Sequence, residues 1–563
     1  IYRLVDMMAG VPQEKERRRV WIDSQTEEEV LRGIREAKLW TAYDNLSDAA
    51  FLRAKEDYLM GINFSRILSL KYSYPVQKFL NDEKYKPISV GRVMTCVLGM
   101  VVRREREIRQ FVKSSFYRVI VKTDNGLDGE FRAVEPSKYA GSPKMYKENG
   151  FKEEKDANEL IDSLAGLHAT VTRLEKKKEN KAATLLFNLA ELQNECSRMF
   201  KISPDETLKI TQELYEKKLV TYPRTDARVL STAVAKEIYK NIGGLRNYGP
   251  AKAFAEEILN GKMYQGIEKT KYTNDKQITD HYAIIPTGQG FSALNSLSPL
   301  SSKVYGRIVL RFLSIFYPPA VYQKIALTMK IGDEQFFSNF KVLISEGFFK
   351  VAGNPSKKKA SETEQNSKKD DKESDDEKSD PSNEEEEFGE DMLAVFESLK
   401  KGSVMNVAGY DIKKGDTAPP KRYNSGSMIL AMENAGQLIE DEELRAQIKG
   451  SGIGTSATRA EILSKLVKIQ YLNLNKKTQI ITPTLRGEII YDVVDASIRS
   501  LLNAELTASW EKGLTYVSEG TITSDEYMKK LEDFVTDKIT RVKALKNQYS
   551  LNGVFVKAKE YYK

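Results

Sequence analysis

The 563-residue chain carries 88 Lys and Arg against 80 Asp and Glu, a formal net charge of +8, and 40% of its residues are hydrophobic. This length and composition suit several folded domains rather than a disordered chain. No apolar run reaches the length of a membrane span. Two cysteines and two histidines exclude zinc ribbons and disulfide frameworks, and a reducing, cytoplasmic compartment is expected. No P-loop sequence occurs, which argues against an ATP-driven motor.

Taken in chain order, the patterns alternate between helical and strand character. Residues 26–70 predict helices, opening on a capping-box pattern at Thr26–Glu29. Residues 116–135 predict strands around the Asn125-Gly126 turn. Residues 166–174 and 322–350 are β-rich, and residues 190–315 between them are mostly helical. The C-terminal part is helical again, with a hairpin near 469–482. Helices between two β-rich blocks predict one domain inserted into another.

One acidic segment departs from this pattern. Pro355–Met392 has seven Lys against fifteen Asp and Glu, a net charge of −8, and almost no large apolar residues. Such a segment buries too little apolar surface to offset the entropy of ordering, so a mobile insertion is expected. Without it the remaining chain carries a net charge of +16.

The stretch Thr221–Asp226 concentrates a phenol, a guanidinium, a hydroxyl and a carboxylate within six residues. The helix before it begins at the Ser203-Pro204 cap and must end before Pro223. A phenolate is a competent nucleophile toward a phosphodiester, and a nearby arginine can neutralise the phosphate. An ordinary Tyr-Pro turn with a surface arginine is the alternative.

Two further motifs carry candidate chemistry. In Thr279–Thr287, His281 stands beside a carboxylate and before a short apolar run, where it could transfer a proton or remain a structural histidine. Gly450–Arg459 is a glycine-rich loop that enters a helix, and the hydroxyls of Thr455, Ser456 and Thr458 and the cation of Arg459 are suited to an anion. A flexible turn before a capped helix is the alternative. Ser89–Thr95 is a similar small-residue turn containing an arginine.

Together these motifs resemble those of the type IA DNA topoisomerases in order and spacing. The matching stretches are Ser89–Leu98 with Arg104–Ile108, Thr221–Asp226, His281–Thr287 and Gly452–Arg459. The H-x-A-I-x-P-T form resembles the topoisomerase III branch of that family. The resemblance covers essentially the whole chain except the acidic insertion.

The resemblance implies an α+β multidomain fold, the toroidal type IA topoisomerase architecture, in which helical domains, one winged-helix-like, are joined by a β-rich arch. Residues 1–80 would be the end of a TOPRIM domain with connecting helices. The helical DNA-binding domain would comprise 81–115 plus 427–540, and the arch 116–186 plus 319–426 with a disordered acidic insertion at 355–392. A helical domain with the catalytic tyrosine would span 187–318, and a C-terminal tail 541–563.

The resemblance also implies residue roles and partners. Tyr222 matches the nucleophile that forms a 5′-phosphotyrosine, Arg224 would stabilise the scissile phosphate, and His281 would assist positioning or proton transfer. The expected DNA contacts are Arg92, Gln212, Thr225, Thr455, Ser456, Thr458 and Arg459. The partner would be single-stranded or negatively supercoiled DNA, bound by a monomer that is nucleoid-associated and contacts no membrane.

The cofactor expectations follow from the same family. Its members bind Mg²⁺ through an early glutamate and a D-x-D-x-E motif that have no counterpart here, so those ligands would lie upstream of Ile1. No metal site, ATP or zinc is therefore expected within this chain. Met94 and Cys96 stand where the family usually has Gln and Pro.

Two other classes of protein are alternatives to this family. A tyrosine recombinase needs a H-x-x-R element, but Val171 and Ile284 stand three residues after the two histidines. A single-strand-binding protein without catalysis remains open, since basic charge and 53 aromatic residues could bind and stack on bases. For a catalytically incomplete fragment, this second activity would be the one retained.

Overall fold

The computed structural model describes residues 2–12, 14–22, 27–278, 280–354, 386–388, 391–447 and 452–562. The chain divides into two compact units. The first unit comprises residues 1–109, 185–309 and 420–563, and the second comprises residues 110–184 and 310–419. In the part of the chain described, no helix is long and apolar enough to cross a membrane.

Helices dominate the first unit. The α-helices of the described chain are Tyr2–Met8, Glu27–Arg35, Asp44–Leu80, Arg92–Gln110, Glu154–Ser163, Leu189–Phe200, Pro204–Glu216, Thr232–Gly244, Lys252–Asn260, Pro299–Ser314, Phe349–Ala352, Asp391–Ser398, Ser425–Glu433, Glu442–Gln447, Arg459–Lys468, Leu485–Asp495, Ala504–Glu519, Ser524–Ala544 and Ser550–Lys559. The region 26–70 is thus two helices, separated by the short strand Lys38–Leu39. Thr26, the expected cap, lies outside the described residues.

The largest core of the first unit forms where its long helices meet. Met60, Phe64 and Leu68 recur every four residues along Asp44–Leu80 and are fully buried, as a helix with one apolar face requires. They pack in one cluster with Val97 of Arg92–Gln110 and with residues of the C-terminal helices. This core fixes the helix that carries Arg92.

A small hairpin lies in the C-terminal part of the first unit. Leu472–Leu474 pairs antiparallel with Ile481–Pro483, which confirms the hairpin predicted near 469–482. It directly follows the helix Arg459–Lys468, so the glycine loop, this helix and the hairpin are consecutive in the chain. Another short pair joins Arg18–Arg19 to Lys38–Leu39.

The second unit is built on one sheet, antiparallel except for one pairing. Its strands among the described residues are Ser115–Thr123, Asp128–Arg132, Met145–Lys147, Gly150–Phe151, Ala169–Lys181, Ala320–Ile331, Glu334–Ser345, Glu386–Phe388, Val404–Met405 and Val407–Asp416. Ser115–Thr123 pairs with Asp128–Arg132 across Gly126, which has a φ of +77°, so the predicted Asn-Gly turn is confirmed. Phe131, Phe151 and Phe336 fill the core under the sheet.

The bounds expected for the acidic insertion, residues 355–392, include two elements of regular structure at their C-terminal end. Glu386–Phe388 pairs in parallel with residues 340–342, and the helix Asp391–Ser398 begins within the expected segment. Phe396 of that helix is 1% exposed and contacts Phe340. Backbone pairing and an apolar anchor therefore order this end despite its acidic composition. The rest of the segment, residues 355–385 and 389–390, lies outside the described residues.

Candidate active site

The Thr221–Asp226 turn connects two capped helices. Ser203 caps Pro204–Glu216 by accepting a hydrogen bond from the Glu206 N–H at 3.2 Å. Ser231 in the same way caps Thr232–Gly244. The first helix ends at Glu216, earlier than the proline rule requires, and residues 217–230, which include the buried Leu219 and Val220, lead to the Ser231 cap. The turn therefore lies between the C-terminus of the first helix and the capped N-terminus of the second.

Tyr222 lies between two aromatic rings. Its ring centroid is 4.4 Å from that of His281 and 5.4 Å from that of Tyr215, which contacts it edge-on at 81°. Tyr222 remains half-buried, so solvent still reaches part of the side chain. No sequence motif marked Tyr215 as functional, although it lies seven residues before Tyr222 on the last turn of the preceding helix.

Hydrogen bonds join the tyrosine turn to the histidine motif. The Thr221 N–H donates to the Ile285 carbonyl at 3.0 Å, and the Thr221 hydroxyl donates to the Ala283 carbonyl at 3.0 Å. The Thr225 hydroxyl donates to the His281 carbonyl at 2.7 Å. Two motifs some sixty residues apart in sequence thus form one site. Thr279, at the start of the histidine motif, lies outside the described residues.

The two charged candidates of this site face solvent. Arg224 is exposed, and none of the described residues forms a hydrogen bond or ion pair with its guanidinium. Partial burial lowers the pKa of His281 below its usual value, an effect that Asp280 opposes. His281 is therefore mainly neutral at pH 7 and able to accept a proton. Arg224 supplies a positive charge in the same turn as the phenol.

Thr225 has an internal role. Its side chain is 4% exposed, and its hydroxyl accepts from the Ala227 N–H at 3.0 Å while donating to His281. The hydroxyl thus donates to one backbone group of the protein and accepts from another. The expected contact of Thr225 with DNA is revised, because the residue shapes the turn from inside.

The glycine loop brings two hydroxyl groups to the surface. Gly452 and Gly454 have φ values of +64° and +67°, in the left-handed region that favours glycine. Thr455 and Thr458 are exposed, with their hydroxyl oxygens 3.2 Å apart, and Ser456 is half-buried. These three residues are accessible where the sequence predicted a DNA-backbone contact. Residues 448–451, including Gly450 and Ser451, lie outside the described part of the chain.

Arg459 and Arg92 are buried in ion pairs, which revises their expected role as phosphate contacts. Arg459 is 1% exposed, with Nη1 3.1 Å from Asp226 Oδ1. Arg92 is 5% exposed, with Nε 3.1 Å from Glu56 Oε1 and Nη1 3.0 Å from Glu511 Oε1. A phosphate would have to displace these carboxylates, at a large cost in a buried site. Their sequence context alone gave no sign of these distant partners.

Gln212 lies on the helix before the tyrosine turn and is half-buried. Its amide nitrogen donates to Glu216 Oε1 at 3.0 Å, while its buried Oε1 has no hydrogen-bond partner among the described residues. An amide with an unused acceptor, three residues before Tyr215, remains a candidate polar contact near the site.

The Mg²⁺ ligands implied by the resemblance were expected upstream of Ile1, and the described residues supply no metal site of their own. No group of three or more His, Cys, Asp or Glu side chains in the described part of the chain could hold a metal ion. We therefore assign no metal ligands and derive no step through a metal.

Comparisons with known proteins agree on one family. A family profile described as DNA topoisomerase matches residues 41–529. DNA topoisomerase 3 of Bacillus subtilis strain 168 is 30% identical over 531 residues, which cover 93% of this chain and 65% of that protein. The Bacillus licheniformis DNA topoisomerase 3 is 28% identical over 542 residues, covering 95% and 66%. The chain thus spans slightly less than two thirds of the length of both relatives.

A solved structure supports the same fold. Full-length topoisomerase I from Thermotoga maritima matches with a TM-score of 0.61 at 19% identity, covering 94% of this chain and 74% of that one. This match extends across both compact units of the chain.

Proposed function

The chain belongs to the DNA topoisomerase family, and we propose that it acts as a type IA enzyme of the topoisomerase III kind. It cleaves one DNA strand through Tyr222, lets another strand pass, and reseals the first without ATP. The observation that carries this proposal is the contact between the rings of Tyr222 and His281, with Arg224, which pairs with no described residue, in the same turn.

The groups of this chain that act on the bound strand are Tyr222 and Arg224 of this turn and His281 of the neighbouring motif. The Tyr222 phenolic oxygen attacks the phosphorus, a phosphotyrosine bond forms at the 5′ side, and the bond to the 3′ oxygen breaks. The 3′ oxygen leaves and takes up a proton from water, and it gives that proton back to water on resealing. Resealing is the reverse attack by the 3′ hydroxyl. Because one phosphodiester replaces another, the bond energy is conserved and ATP is not required.

His281 and Arg224 have separate tasks in this step. Since partial burial keeps His281 mainly neutral, its imidazole accepts the phenolic proton during attack and returns it during resealing. Arg224, whose charge no described residue neutralises, stabilises the negative charge that develops on the phosphate. The aromatic contact with Tyr215 limits the directions that the phenol ring can take.

The strand itself would lie against the glycine loop. The exposed hydroxyls of Thr455 and Thr458 stand at the start of the helix Arg459–Lys468, where the helix dipole favours a phosphate. Ser456 and Gln212 are further polar contacts by position. Single-stranded or negatively supercoiled DNA is the proposed substrate, on the ground of the family resemblance.

Magnesium dependence is part of the proposal on family grounds only. Assays are therefore run with and without Mg²⁺ at each step, and cleavage and single-strand binding are scored separately. A protein that binds DNA but never forms an adduct under either condition would favour the single-strand-binding alternative.

The decisive experiment traps the covalent adduct. A single-stranded oligonucleotide labelled at its 3′ end is incubated with the protein and stopped with denaturant, so that a 5′-phosphotyrosine keeps the label on the protein. Tyr222→Phe removes the attacking oxygen and should abolish this adduct while leaving single-strand affinity unchanged. The same oligonucleotide labelled at its 5′ end should release its label as a shorter fragment.

Tyr239→Phe is the matched control. Tyr239 is a 44% exposed tyrosine on the helix Thr232–Gly244 of the same unit, and its ring contacts Tyr264 rather than His281. This variant should form as much adduct as the unmodified protein. An adduct that persists in Tyr222→Phe would assign the nucleophile to another residue.

A further inference from the structure

Arg459 lies at the centre of a buried cluster. It is the first residue of the helix Arg459–Lys468, and its Nη1 lies 3.1 Å from Asp226 Oδ1 and 4.0 Å from Glu433 Oε1. Its Nε donates to the Ile453 carbonyl at 3.4 Å. A guanidinium keeps its proton even when buried, so two carboxylates and a carbonyl of the glycine loop surround a permanent charge.

Asn188 strengthens the same cluster from the other side. Its amide nitrogen donates to the Asp226 carbonyl at 3.1 Å and to Glu433 Oε1 at 2.7 Å. Its oxygen accepts from the Glu191 N–H at 2.9 Å, which fixes the orientation of the amide. Both the carboxylate and the carbonyl of Asp226 are therefore held by buried groups.

Asp226 lies four residues after Tyr222, at the far end of the same turn. The near end is held by the Thr221 hydrogen bonds to the histidine motif. The turn is thus anchored at both ends, and the far anchor leads directly to the glycine loop through Arg459 and Ile453. A movement of the glycine loop would be transmitted to the tyrosine turn.

Resting on the proposed function, we propose that Arg459 is a positioning residue for cleavage and resealing. Through Asp226, it holds the turn that carries Tyr222 at a fixed position relative to the glycine loop, against which the DNA backbone binds. Its loss therefore slows the reaction of a bound strand more than it weakens strand binding, because the attacking oxygen and the phosphate meet less often.

Charge balance favours this role over direct binding of a phosphate. The cluster has two carboxylates for one cation. Burial raises the pKa of Glu433; the charge of Arg459 acts to lower that pKa, and the charge of Asp226 acts to raise it. Withdrawing Arg459 toward a phosphate would leave both acids without their cation. Direct binding of a phosphate would also appear in the salt dependence of DNA affinity, because removing one phosphate-binding cation lowers the slope by about 1.

The test compares Asp226→Asn, Arg459→Lys and the double variant. Lysine keeps the charge near Glu433 but loses the forked geometry of the guanidinium. The control is Arg307→Lys in the same unit, where Nε lies 2.8 Å from Oε1 of Glu195, whose side chain is 8% exposed. Each variant is measured for single-turnover cleavage at saturating oligonucleotide, for affinity over a salt series, and for hydrogen exchange of residues 221–229.

Each single variant should slow cleavage about tenfold, and the double variant should be no slower than the slower single, because the two residues act through one ion pair. Affinity should stay within about twofold of the unmodified protein, and its salt slope should not change. Asp226→Glu, which keeps a carboxylate, should recover part of the rate. Amides of residues 221–229 should exchange faster in both Asp226→Asn and Arg459→Lys, and their exchange should be unchanged in Arg307→Lys.

Other outcomes would overturn the assignment. Unchanged rates, or rate losses that multiply in the double variant, would show that the two residues do not act together. Because lysine keeps the charge, the salt series also includes Arg459→Gln, which removes the cation, and a salt slope that drops by about 1 in that variant would restore the direct phosphate contact. Hydrogen exchange needs no DNA, so it decides whether Arg459 fixes the turn even if no adduct forms, an outcome that would contradict the proposed function instead.

Discussion

Two glycines of one loop provide a test of how rigidly the structure defines the proposed strand contact. Gly452 and Gly454 have nearly the same backbone, with φ values of +64° and +67°. An alanine in this left-handed region costs about 1–2 kcal/mol at either position. The two sites differ in their surroundings, so any difference between the variants reports packing rather than backbone conformation.

Only Gly452 lacks room for a side chain. A Cβ there would overlap the carbonyl oxygens of Met432 and Glu433 and lie 2.6 Å from the Glu433 carbonyl carbon, whereas the nearest atoms at Gly454 are 3.5 Å away. Overpacking against backbone adds about 1–3 kcal/mol. Gly452→Ala should therefore cost about 2–5 kcal/mol of stability and Gly454→Ala about 1–2 kcal/mol.

Urea denaturation followed by circular dichroism measures both losses, and fluorescence anisotropy with a labelled single strand measures the effect on binding. Gly452→Ala should also weaken single-strand binding more, because the loop that carries Thr455 and Thr458 must shift away from Met432. Equal losses of stability in the two variants would refute the reasoning, since the backbone term alone would then account for both.

A buried acid, an aromatic contact and the acidic segment each allow a further test. Burial raises the pKa of Glu56 to about 7, an effect that Arg92 opposes. Ionising Glu56 in the folded protein therefore costs about 3 kcal/mol of stability as pH rises from 4.5 to 7. Glu56→Gln should flatten this decline in urea midpoints, and an unchanged pH dependence would contradict the prediction. Tyr215→Ala should slow single-turnover cleavage about tenfold at unchanged affinity. Tyr215→Phe keeps the ring and should cleave at the rate of the unmodified protein. Equal cleavage rates in the two variants would show that the ring contact does not position Tyr222. Residues 355–385 contain seven lysines and eleven acidic residues, so their deletion removes four net negative charges. The deletion should strengthen single-strand binding at low salt in filter-binding assays, and weaker binding would contradict this prediction.

Local sequence determined the local structure around the site. The Ser203 cap, the Asn125-Gly126 turn and the hairpin after the helix Arg459–Lys468 all lie where short-range patterns placed them. Each depends on residues within a few positions of one another, so the chain needs no tertiary contact to specify them. The tyrosine turn was equally visible, because its chemical groups are contiguous.

Tertiary structure decided which charged residues of the motifs are accessible. Arg224 and Arg459 both stand beside hydroxyl residues in candidate motifs, yet the first faces solvent and the second pairs with Asp226, 233 positions away in the chain. Arg92 likewise finds Glu511 across 419 positions. Whether a cation can be buried depends on which distant carboxylates lie next to it once the helices have packed. Short-range sequence patterns contain no information on those long-range contacts.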